Sequence, residues 1–283
     1  MTQTPLLEVQ GLSKTFAIGS GGFLGGGTRV FKAVDDVSFT IASGETLALV
    51  GESGSGKTTC ARTIARLYRP DAGSVRFKGQ EIGWLSASAL RPVRRAMQMM
   101  FQDPFDSLDP RQRVGDIVAE PLIIHGWRDG AARRARVAEV MGWVGLNAAD
   151  GLRYPHEFSG GQRQRIAIAR MLAPEPEFII ADEPLSALDV SIQSQILNLL
   201  IDLQARLNFA CLFITHDLAV VDAIADRVAV MHQGRIVELA SRAALFAEPR
   251  HPYTRTLLAA VPQIGRGKRR AAGGATVAAG TAP

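Results

Sequence analysis

No apolar run in the sequence reaches the roughly 18 residues that a membrane-spanning helix needs. The first residues, from Met1 to Pro5, also lack the basic and apolar regions of a secretory signal. We therefore expect the protein to stay in the cytosol and to touch a membrane only through a partner.

Cysteine is scarce, since only Cys60 and Cys211 occur, both in apolar or helical stretches and without the spacing of metal ligands. This pattern predicts two reduced thiols in or near the core. It disfavours a disulfide or a cysteine-bound metal.

Positive charge is in only modest excess over negative charge. The net charge of +5 and the pI near 9.6 would permit contact with nucleic acid or acidic lipid, but the excess is spread over scattered arginines and a short tail. With 47% hydrophobic and 21% charged residues in 283, the chain has the composition of a soluble globular protein of one large domain or two modest ones.

A glycine-rich turn organises the chain. An apolar run over residues 45–50 leads into this turn, and a helical stretch over 59–67 follows it. The turn, residues 51–58, has the spacing G-x-x-x-x-G-K-[ST], in which backbone N–H groups cradle a polyphosphate. Lys57 would reach the β- and γ-phosphates, and the Thr58 hydroxyl would bind Mg²⁺. The candidate binding residues are Gly51, Glu52, Ser53, Gly54, Ser55, Gly56, Lys57, Thr58 and Thr59.

We call residues 51–58 the phosphate loop. The alternative is a flexible Gly/Ser loop with a solvated lysine, which the strand pattern before the loop and the helix pattern after it disfavour. A second glycine-rich stretch, residues 19–27, is not followed by Lys-Thr and a helix, so we expect a plain surface loop there.

Polar residues follow three further apolar segments. The segment over 95–101 ends at Gln102, the one over 178–181 ends at Asp182-Glu183, and the one over 210–214 is followed by His216. Continuous apolar strands separated by helices predict a mostly parallel sheet covered on both faces. Ligands of such sheets bind at the carboxyl ends of the strands, so these residues should meet the phosphate loop.

The two adjacent carboxylates suit phosphate chemistry. Asp182 could hold Mg²⁺ through water, and Glu183 could polarise the attacking water. The alternative is that Asp-Glu-Pro only starts a helix. A lone His is more often structural, but the position of His216 after the next strand favours a sensor of the γ-phosphate.

The remaining pattern indicates a β-region at the N-terminus and a helical insert. Short strands are predicted over 6–9, 12–16 and 37–41, and helical segments over about 114–125 and 130–144. An amphipathic helix is predicted over Val190–Leu207. Its apolar face carries Ile192, Ile196, Leu199, Leu200, Leu203 and Leu207.

A second phosphate-binding motif lies in residues 158–162, ahead of a helical stretch over 163–170. Its candidate binding residues are Ser159, Gly160, Gly161 and Gln162. They offer donors at a helix N-terminus that suit a γ-phosphate, but Lys57 already holds the phosphate of its own site. The motif therefore predicts a second ATP shared across a dimer.

With these motifs in this order, the chain resembles the ATP-binding cassette (ABC) family over about residues 6–262. The resemblance implies that Phe16 stacks on adenine, with a plain core role as the alternative. It also implies that Gln102 links the catalytic Mg²⁺ and the water to the transporter contact, that Asp189 lies in the dimer-communicating loop, and that His216 is the switch. The cofactors implied are ATP and Mg²⁺.

The resemblance implies an α/β fold of the P-loop NTPase type, with a RecA-like, mostly parallel sheet core, an N-terminal antiparallel β subdomain and an α-helical insert. We expect an ABC-type nucleotide-binding domain over 1–262, with its core in 1–102 and 160–250 and the helical insert in 103–159. The tail, 263–283, should be disordered, with its basic cluster either solvated or resting on anionic lipid.

Four stretches, residues 101–111, 153–162, 188–193 and 251–258, resemble the oligopeptide/dipeptide/nickel importer branch. The glycine-rich insertion resembles that of the branch's second ATPase subunit. This implies a head-to-tail dimer with a second ABC ATPase subunit, either a copy or a paralogue. It also implies two transmembrane permease subunits, an extracytoplasmic solute-binding protein, and a peripheral location on the cytoplasmic face of the cell membrane.

The sequence thus predicts an ATPase that energises an importer of di- or oligopeptides, with nickel or another small solute as the alternative. An ABC ATPase acting on nucleic acid or ribosomes is disfavoured, because such proteins usually carry two cassettes or a long coiled-coil insertion. We therefore expect no nucleic acid partner. A kinase or GTPase with a phosphate loop would not explain residues 159–162.

Overall fold

A computed structural model describes residues 4–18, 29–101, 108–186 and 188–260. The glycine-rich stretch over 19–27, Gln102 and the tail over 263–283 fall wholly or largely outside these ranges, so their predictions remain predictions. Within the described ranges, no helix is long and apolar enough to cross a membrane.

The strands follow one another with helices between most of them. They are β1 (Leu7–Ile18), β2 (Arg29–Ile41), β3 (Thr46–Val50), β4 (Ala72–Phe77), β5 (Gln80–Glu81), β6 (Met97–Met100), β7 (Phe178–Asp182), β8 (Ala210–Thr215), β9 (Arg227–His232) and β10 (Arg235–Ser241).

The helices are α1 (Lys57–Ile64), α2 (Arg91–Ala96), α3 (Val114–Ile124), α4 (Gly130–Trp143), α5 (Gly160–Leu172), α6 (Val190–Leu207), α7 (Leu218–Ile224), α8 (Arg242–Ala247) and α9 (Pro252–Ala259). Two short 3-10 turns, Ala148–Leu152 and Pro155–Glu157, precede α5.

A six-stranded sheet, in the order β10-β9-β3-β8-β7-β6, forms the centre of the fold. Its pairs are parallel except for β10, which pairs antiparallel to β9. The predicted mostly parallel sheet is therefore confirmed. Because β3, β7, β8 and β9 run the same way, the phosphate loop and the residues after β7 and β8 lie at one edge of the sheet.

Both faces of this sheet are covered, as the continuous apolar strands predict. In β7, Phe178 and Ile180 belong to a buried cluster with α1 and the N-terminal strands, whereas Ile179 and Ala181 face a second cluster with α3, α5 and α6. The two cysteines are buried on opposite sides, Cys60 in the first cluster and Cys211 in the second. Burial raises the pKa of each thiol to about 12.

The N-terminal sheet is antiparallel, with the order β2-β1-β4-β5, as expected. The prediction of two short strands over 6–9 and 12–16 is wrong, because β1 runs continuously through both. Gly11 adopts a left-handed backbone with φ 57, and the pairing register shifts between Val9 and Leu12. A bulge at this glycine lets the strand bend without losing its partners.

Helix α6 has the predicted bounds, and its predicted apolar face is the buried one: Ile196, Leu200 and Leu203 are buried and the other apolar residues pack beside them. The two predicted helices of the insert correspond to α3 and α4.

Arg136 of α4 connects the helical region to the core. Its guanidinium is buried and donates hydrogen bonds to the carbonyls of Leu172 and Ala173, each at 3.1 Å. The Trp143 ring also lies near two guanidinium groups, those of Arg136 at 4.6 Å and Arg206 of α6 at 4.9 Å. These contacts hold α4 against α5 and α6.

Candidate functional site

The phosphate loop joins β3 to α1 along a path that requires glycine at two points. Gly51 has φ 153 and Gly56 has φ 106. A Cβ atom on Gly51 would lie 2.1 Å from the carbonyl oxygen of Met231, and one on Gly56 would lie 2.2 Å from that of Ala33. The loop is therefore packed directly against the backbone of β9 and β2, where a side chain cannot fit.

Lys57 is buried at the start of α1. Its Nζ donates hydrogen bonds to the carbonyls of Gly51 and Glu52, both at 2.8 Å, so the ammonium points back across the loop. Burial lowers the pKa of Lys57, while the nearby carboxylates of Glu183 and Asp182 oppose this shift.

Asp182, the last residue of β7, lies next to the start of α1. The Thr58 hydroxyl donates to its Oδ1 at 3.0 Å. Burial raises the pKa of the Asp182 carboxyl, although the bond from Thr58 lowers it. Its Oδ2 is buried and has no hydrogen-bond partner among the described residues. A carboxylate with a spare oxygen beside a hydroxyl is a donor set that fits Mg²⁺, which prefers hard oxygen ligands.

Glu183 and His216 come together at the ends of β7 and β8. The Glu183 Oε1 lies 3.4 Å from Nδ1 of His216. Glu183 has a left-handed backbone, with φ 47, and its N–H donates to the carbonyl of Ile214 at 3.0 Å. Such a conformation costs about 1–3 kcal/mol outside glycine, so the neighbouring strand has to hold it in place.

A cavity of about 690 Å³ opens over these groups. Its volume is within the range of small-molecule sites. It is lined by the phosphate loop and the residue after it, by two strand-end residues and by three more distant residues, namely Phe31, Ala33, Gly51, Glu52, Ser53, Gly54, Gly56, Lys57, Thr58, Thr59, Glu183, His216 and Leu257. Of the predicted loop residues, only Ser55, which is buried, is absent from the lining.

Phe31, Ala33 and Leu257 were not predicted as site residues. Phe31 lies opposite Phe16 in the β1–β2 pairing and is 48% exposed. Phe16 itself is not in the cavity lining, and its ring packs edge-on against Tyr68 with 5.5 Å between centroids. Phe31 is far from the phosphate loop in the chain, so no local sequence pattern indicates that it lines the cavity.

The second phosphate motif caps α5. The Ser159 Oγ accepts from the N–H of Gln162 at 3.4 Å, and the Gln162 Oε1 accepts from the N–H of Ser159 at 3.0 Å. The Asp189 carboxylate caps α6 by accepting from the N–H of Ile192 at 3.1 Å. A Cβ on Gly161 would lie 2.7 Å from Ile192, so the two helix N-termini are neighbours.

The predicted site residues thus form two groups. The phosphate loop, Glu183 and His216 share one cavity, with Asp182 beneath it, whereas residues 159–162 and Asp189 are absent from its lining. One chain therefore carries two separate parts of the predicted nucleotide site.

Comparison with known proteins agrees with this geometry. A family model described as "ABC transporter" matches residues 34–186, which is more than half of the chain. The chain belongs to the ABC transporter family. A second model, described as "Oligopeptide/dipeptide transporter, C-terminal region", matches residues 237–282 of this cassette.

The sequence is similar to curated proteins that are named as ATP-binding proteins of import systems. It is 55% identical over 258 residues to the glutathione import ATP-binding protein GsiA of Salmonella typhimurium, covering 91% of this chain and 41% of the relative. The chain thus spans about two fifths of the length of GsiA. A Brucella ovis protein, whose name suggests ATP binding in peptide import, is 54% identical over 93% of this chain and 80% of its own.

Solved ABC cassettes share the fold. A dimeric structure of the cassette MJ0796 in a post-hydrolysis state, bound to ADP and Pi, matches with a TM-score of 0.73 and 29% identity, covering 83% of this chain and 98% of the other. The cbiO1 protein of Clostridium perfringens matches with a TM-score of 0.74 and 27% identity, covering 87% and 92%. The P-loop NTPase fold expected from the sequence is therefore confirmed.

Proposed function

We propose that this cassette binds and hydrolyses ATP to energise an importer, and that the importer carries di- or oligopeptides. The observation that carries the proposal is the shared cavity, which combines a phosphate loop with a carboxylate and an imidazole at neighbouring strand ends. Asp182 and Thr58 provide hard oxygen atoms beneath the same loop.

Each residue has a distinct task in this proposal. The phosphate-loop N–H groups and Lys57 hold the phosphates, and the oxygens of Thr58 and Asp182 would hold Mg²⁺. A bound Mg²⁺ would neutralise charge on the phosphates. Glu183 accepts a proton from the attacking water at a carboxylate oxygen. His216, whose Nδ1 faces that carboxylate, contacts the γ-phosphate.

Residues 159–162 complete the site from a second subunit. Their N–H groups at the start of α5 offer donors for a γ-phosphate, but in one chain they do not line the cavity that holds the phosphate loop. Two cassettes arranged head to tail would each supply what the other lacks. The dimeric MJ0796 structure with ADP and Pi supports this arrangement. Asp189, adjacent in space to residues 159–162, would lie at the same interface.

A second surface suits the permease. A cavity of about 290 Å³ lies between β6 and α3, and it is lined by exposed apolar side chains, including Phe101 and Ile124, and by polar groups, including Arg94 and His125. We assign it to a cytoplasmic helix of a permease. Phe101, which lines this cavity, directly precedes Gln102, and Gln102 would couple the permease to the catalytic centre. Binding of the permease here would bring the cassette to the cytoplasmic face of the membrane.

The peptide cargo rests on the relatives. The match to the oligopeptide/dipeptide C-terminal region and the names of the glutathione and peptide import relatives favour peptides over nickel or another small solute. They also disfavour a role on nucleic acid or ribosomes.

Isolation of the tagged full chain from its own cells tests the assignment. We expect two permease chains to copurify in detergent, and we expect peptide added with the solute-binding protein to stimulate ATP hydrolysis by this complex. Identification of the chains by mass spectrometry is the readout. Copurification of RNA or DNA without permeases would contradict the importer function, and stimulation by nickel rather than peptide would contradict the cargo.

A further inference from the structure

The C-terminal helix α9 contacts the phosphate loop directly. The Tyr253 hydroxyl accepts a hydrogen bond from the N–H of Glu52 at 3.1 Å. The carbonyl of the same residue, Glu52, accepts from the Nζ of Lys57 at 2.8 Å. One residue of the loop is thus held on its two sides by Tyr253 and by the phosphate-binding lysine.

The Tyr253 ring has a fixed position beside the loop. It packs on His232, with 4.0 Å between ring centroids and 32° between their planes. His232 ends β9 directly after Met231, whose carbonyl leaves no room for a side chain on Gly51. The end of β9, the start of the loop and Tyr253 therefore form one packed unit.

The N-terminus of α9 is fixed as well. The Glu238 carboxylate accepts from the N–H groups of Arg250 and His251, each at 2.9 Å. The His251 Nδ1 then caps the helix by accepting from the N–H of Tyr253 at 3.2 Å. Because β10 carries Glu238, the position of Tyr253 is set by the central sheet and not by the helix alone.

The same face of α9 reaches the nucleotide cavity. Leu257 lies one turn after Tyr253 and lines the cavity. Both residues pack against a buried cluster that contains Val50, the last residue before the phosphate loop. The helix thus supports the loop from the strand that enters it and from the cavity side.

We propose that Tyr253 is a positioning residue for the phosphate loop, through which the C-terminal region sets the affinity of the cassette for ATP. This proposal rests on the ATP-binding function proposed above. The hydroxyl holds the Glu52 peptide in the orientation that lets Lys57 bridge the loop, so the loop is ordered before nucleotide arrives. Pre-ordering of a binding loop lowers the entropy that binding has to remove.

The test is Tyr253→Phe in the full chain, which keeps the ring on His232 and removes only the acceptor oxygen. We expect the Kd for ATP and for ADP, measured by calorimetry, to rise about two- to tenfold, the range that one net hydrogen bond supports. The KM for ATP should rise by the same factor while kcat stays unchanged, since the hydroxyl acts on ground state and transition state alike. The melting temperature of the nucleotide-free protein should fall by only a few degrees, because a single hydrogen bond is lost.

Tyr154→Phe is the matched control, because it removes a tyrosine hydroxyl from the helical region outside the cavity lining. It should leave the Kd unchanged. An unchanged Kd in Tyr253→Phe, or a loss of kcat at constant KM, would overturn the positioning role. Failure of the unsubstituted protein to bind ATP would instead overturn the proposed function.

Discussion

The backbone of Glu183 is the most unusual feature of the site at the scale of single residues. A left-handed φ of 47 at a glutamate is costly, yet it turns the chain directly after β7 and brings the carboxylate to His216. The carbonyl of Ile214 in β8 holds this turn through the Glu183 N–H. The strain is thus balanced by the neighbouring strand, and it points the carboxylate into the cavity.

Glu183→Gln should abolish turnover and retain ATP binding. The amide cannot accept the proton of the attacking water, and loss of a general base lowers rates by about 10²–10⁴-fold. Phosphate release and calorimetric ATP binding by the full chain measure the two effects. Glu248→Gln, at an exposed position outside the cavity lining, is the isosteric control. Near-normal ATPase activity in Glu183→Gln would contradict the assignment of Glu183 as the general base.

The residue types of the site could be predicted because their spacing is local. The loop glycines, Lys57 and Thr58 are consecutive, and Asp182 and Glu183 directly follow an apolar strand. The aromatic residues near the phosphate loop have no such local pattern. The resemblance implies Phe16, and the structure adds Phe31, its direct partner in the β1–β2 pairing, to the cavity lining. Which side chains reach the cavity depends on how strands pair and pack across the molecule.

At the scale of elements, Asp71 joins β1 to the turn that follows α1. Its carboxylate accepts from the Lys14 ammonium at 2.8 Å and from both the N–H and the hydroxyl of Thr15 at 2.6 Å. Partial burial opposes the shift, but these hydrogen bonds lower the pKa of Asp71 to about 2. The contact fixes the part of β1 that leads into Phe16.

Asp71→Asn should therefore destabilise the fold in a pH-dependent way. The pKa of about 2 in the folded protein is below the 3.8 that is usual for an aspartate, so the stabilisation is fully present above pH 3.8 and is lost as pH falls towards 2. Because the side chain is 39% exposed, we expect a loss of only about 1–3 °C in melting temperature at pH 7. The difference from the unsubstituted protein should shrink below pH 4.

Melting temperatures from pH 7 down to pH 3, which reaches into the range where the stabilisation is lost, provide the measurement. Asp202→Asn, an exposed carboxylate on α6, is the control and should show no such trend. A difference between Asp71→Asn and the unsubstituted protein that stayed constant with pH would refute the charge-assisted contact.

Long and strongly patterned elements were predicted well. Helix α6 matches its predicted bounds because 18 residues repeat one apolar face, and β7 and β8 match because they are continuous apolar runs. No element was predicted for the region that forms β9, β10, α7 and α8. Helices of six or seven residues, such as α8 and α7, contain too few turns for a periodic pattern to emerge.

At the scale of the whole molecule, the separation of the two phosphate motifs predicts association. The Glu183→Gln protein with ATP should give about twice the 30.4 kDa mass of the chain in light scattering, because ATP would bridge two copies without being consumed. Ser159→Arg in the same background should return the protein to the monomer mass, since the added side chain would occupy the γ-phosphate position of the partner site.

Ser43→Arg is the matched control. Ser43 is exposed just before β3, at the sheet edge opposite the phosphate loop, so the arginine should leave the dimer intact. A monomer in the Glu183→Gln protein at saturating ATP would contradict the pairing of two identical copies and favour a paralogous partner. A dimer that persisted with Ser159→Arg would contradict the role of residues 159–162.

The sequence by itself determined the strand–loop–helix unit, the parallel character of the sheet, the apolar face of α6 and the residue types of the site, because each depends on neighbours within a few positions. Only the tertiary structure decided the strand order, the division of the site into two groups and the support of the phosphate loop by α9. Glu52 and Tyr253 are 201 residues apart in the chain. Their contact exists because β9 pairs with β3, His232 of β9 packs on Tyr253, and Glu238 of β10 holds the start of α9. Such contacts follow from packing, which local sequence patterns do not encode.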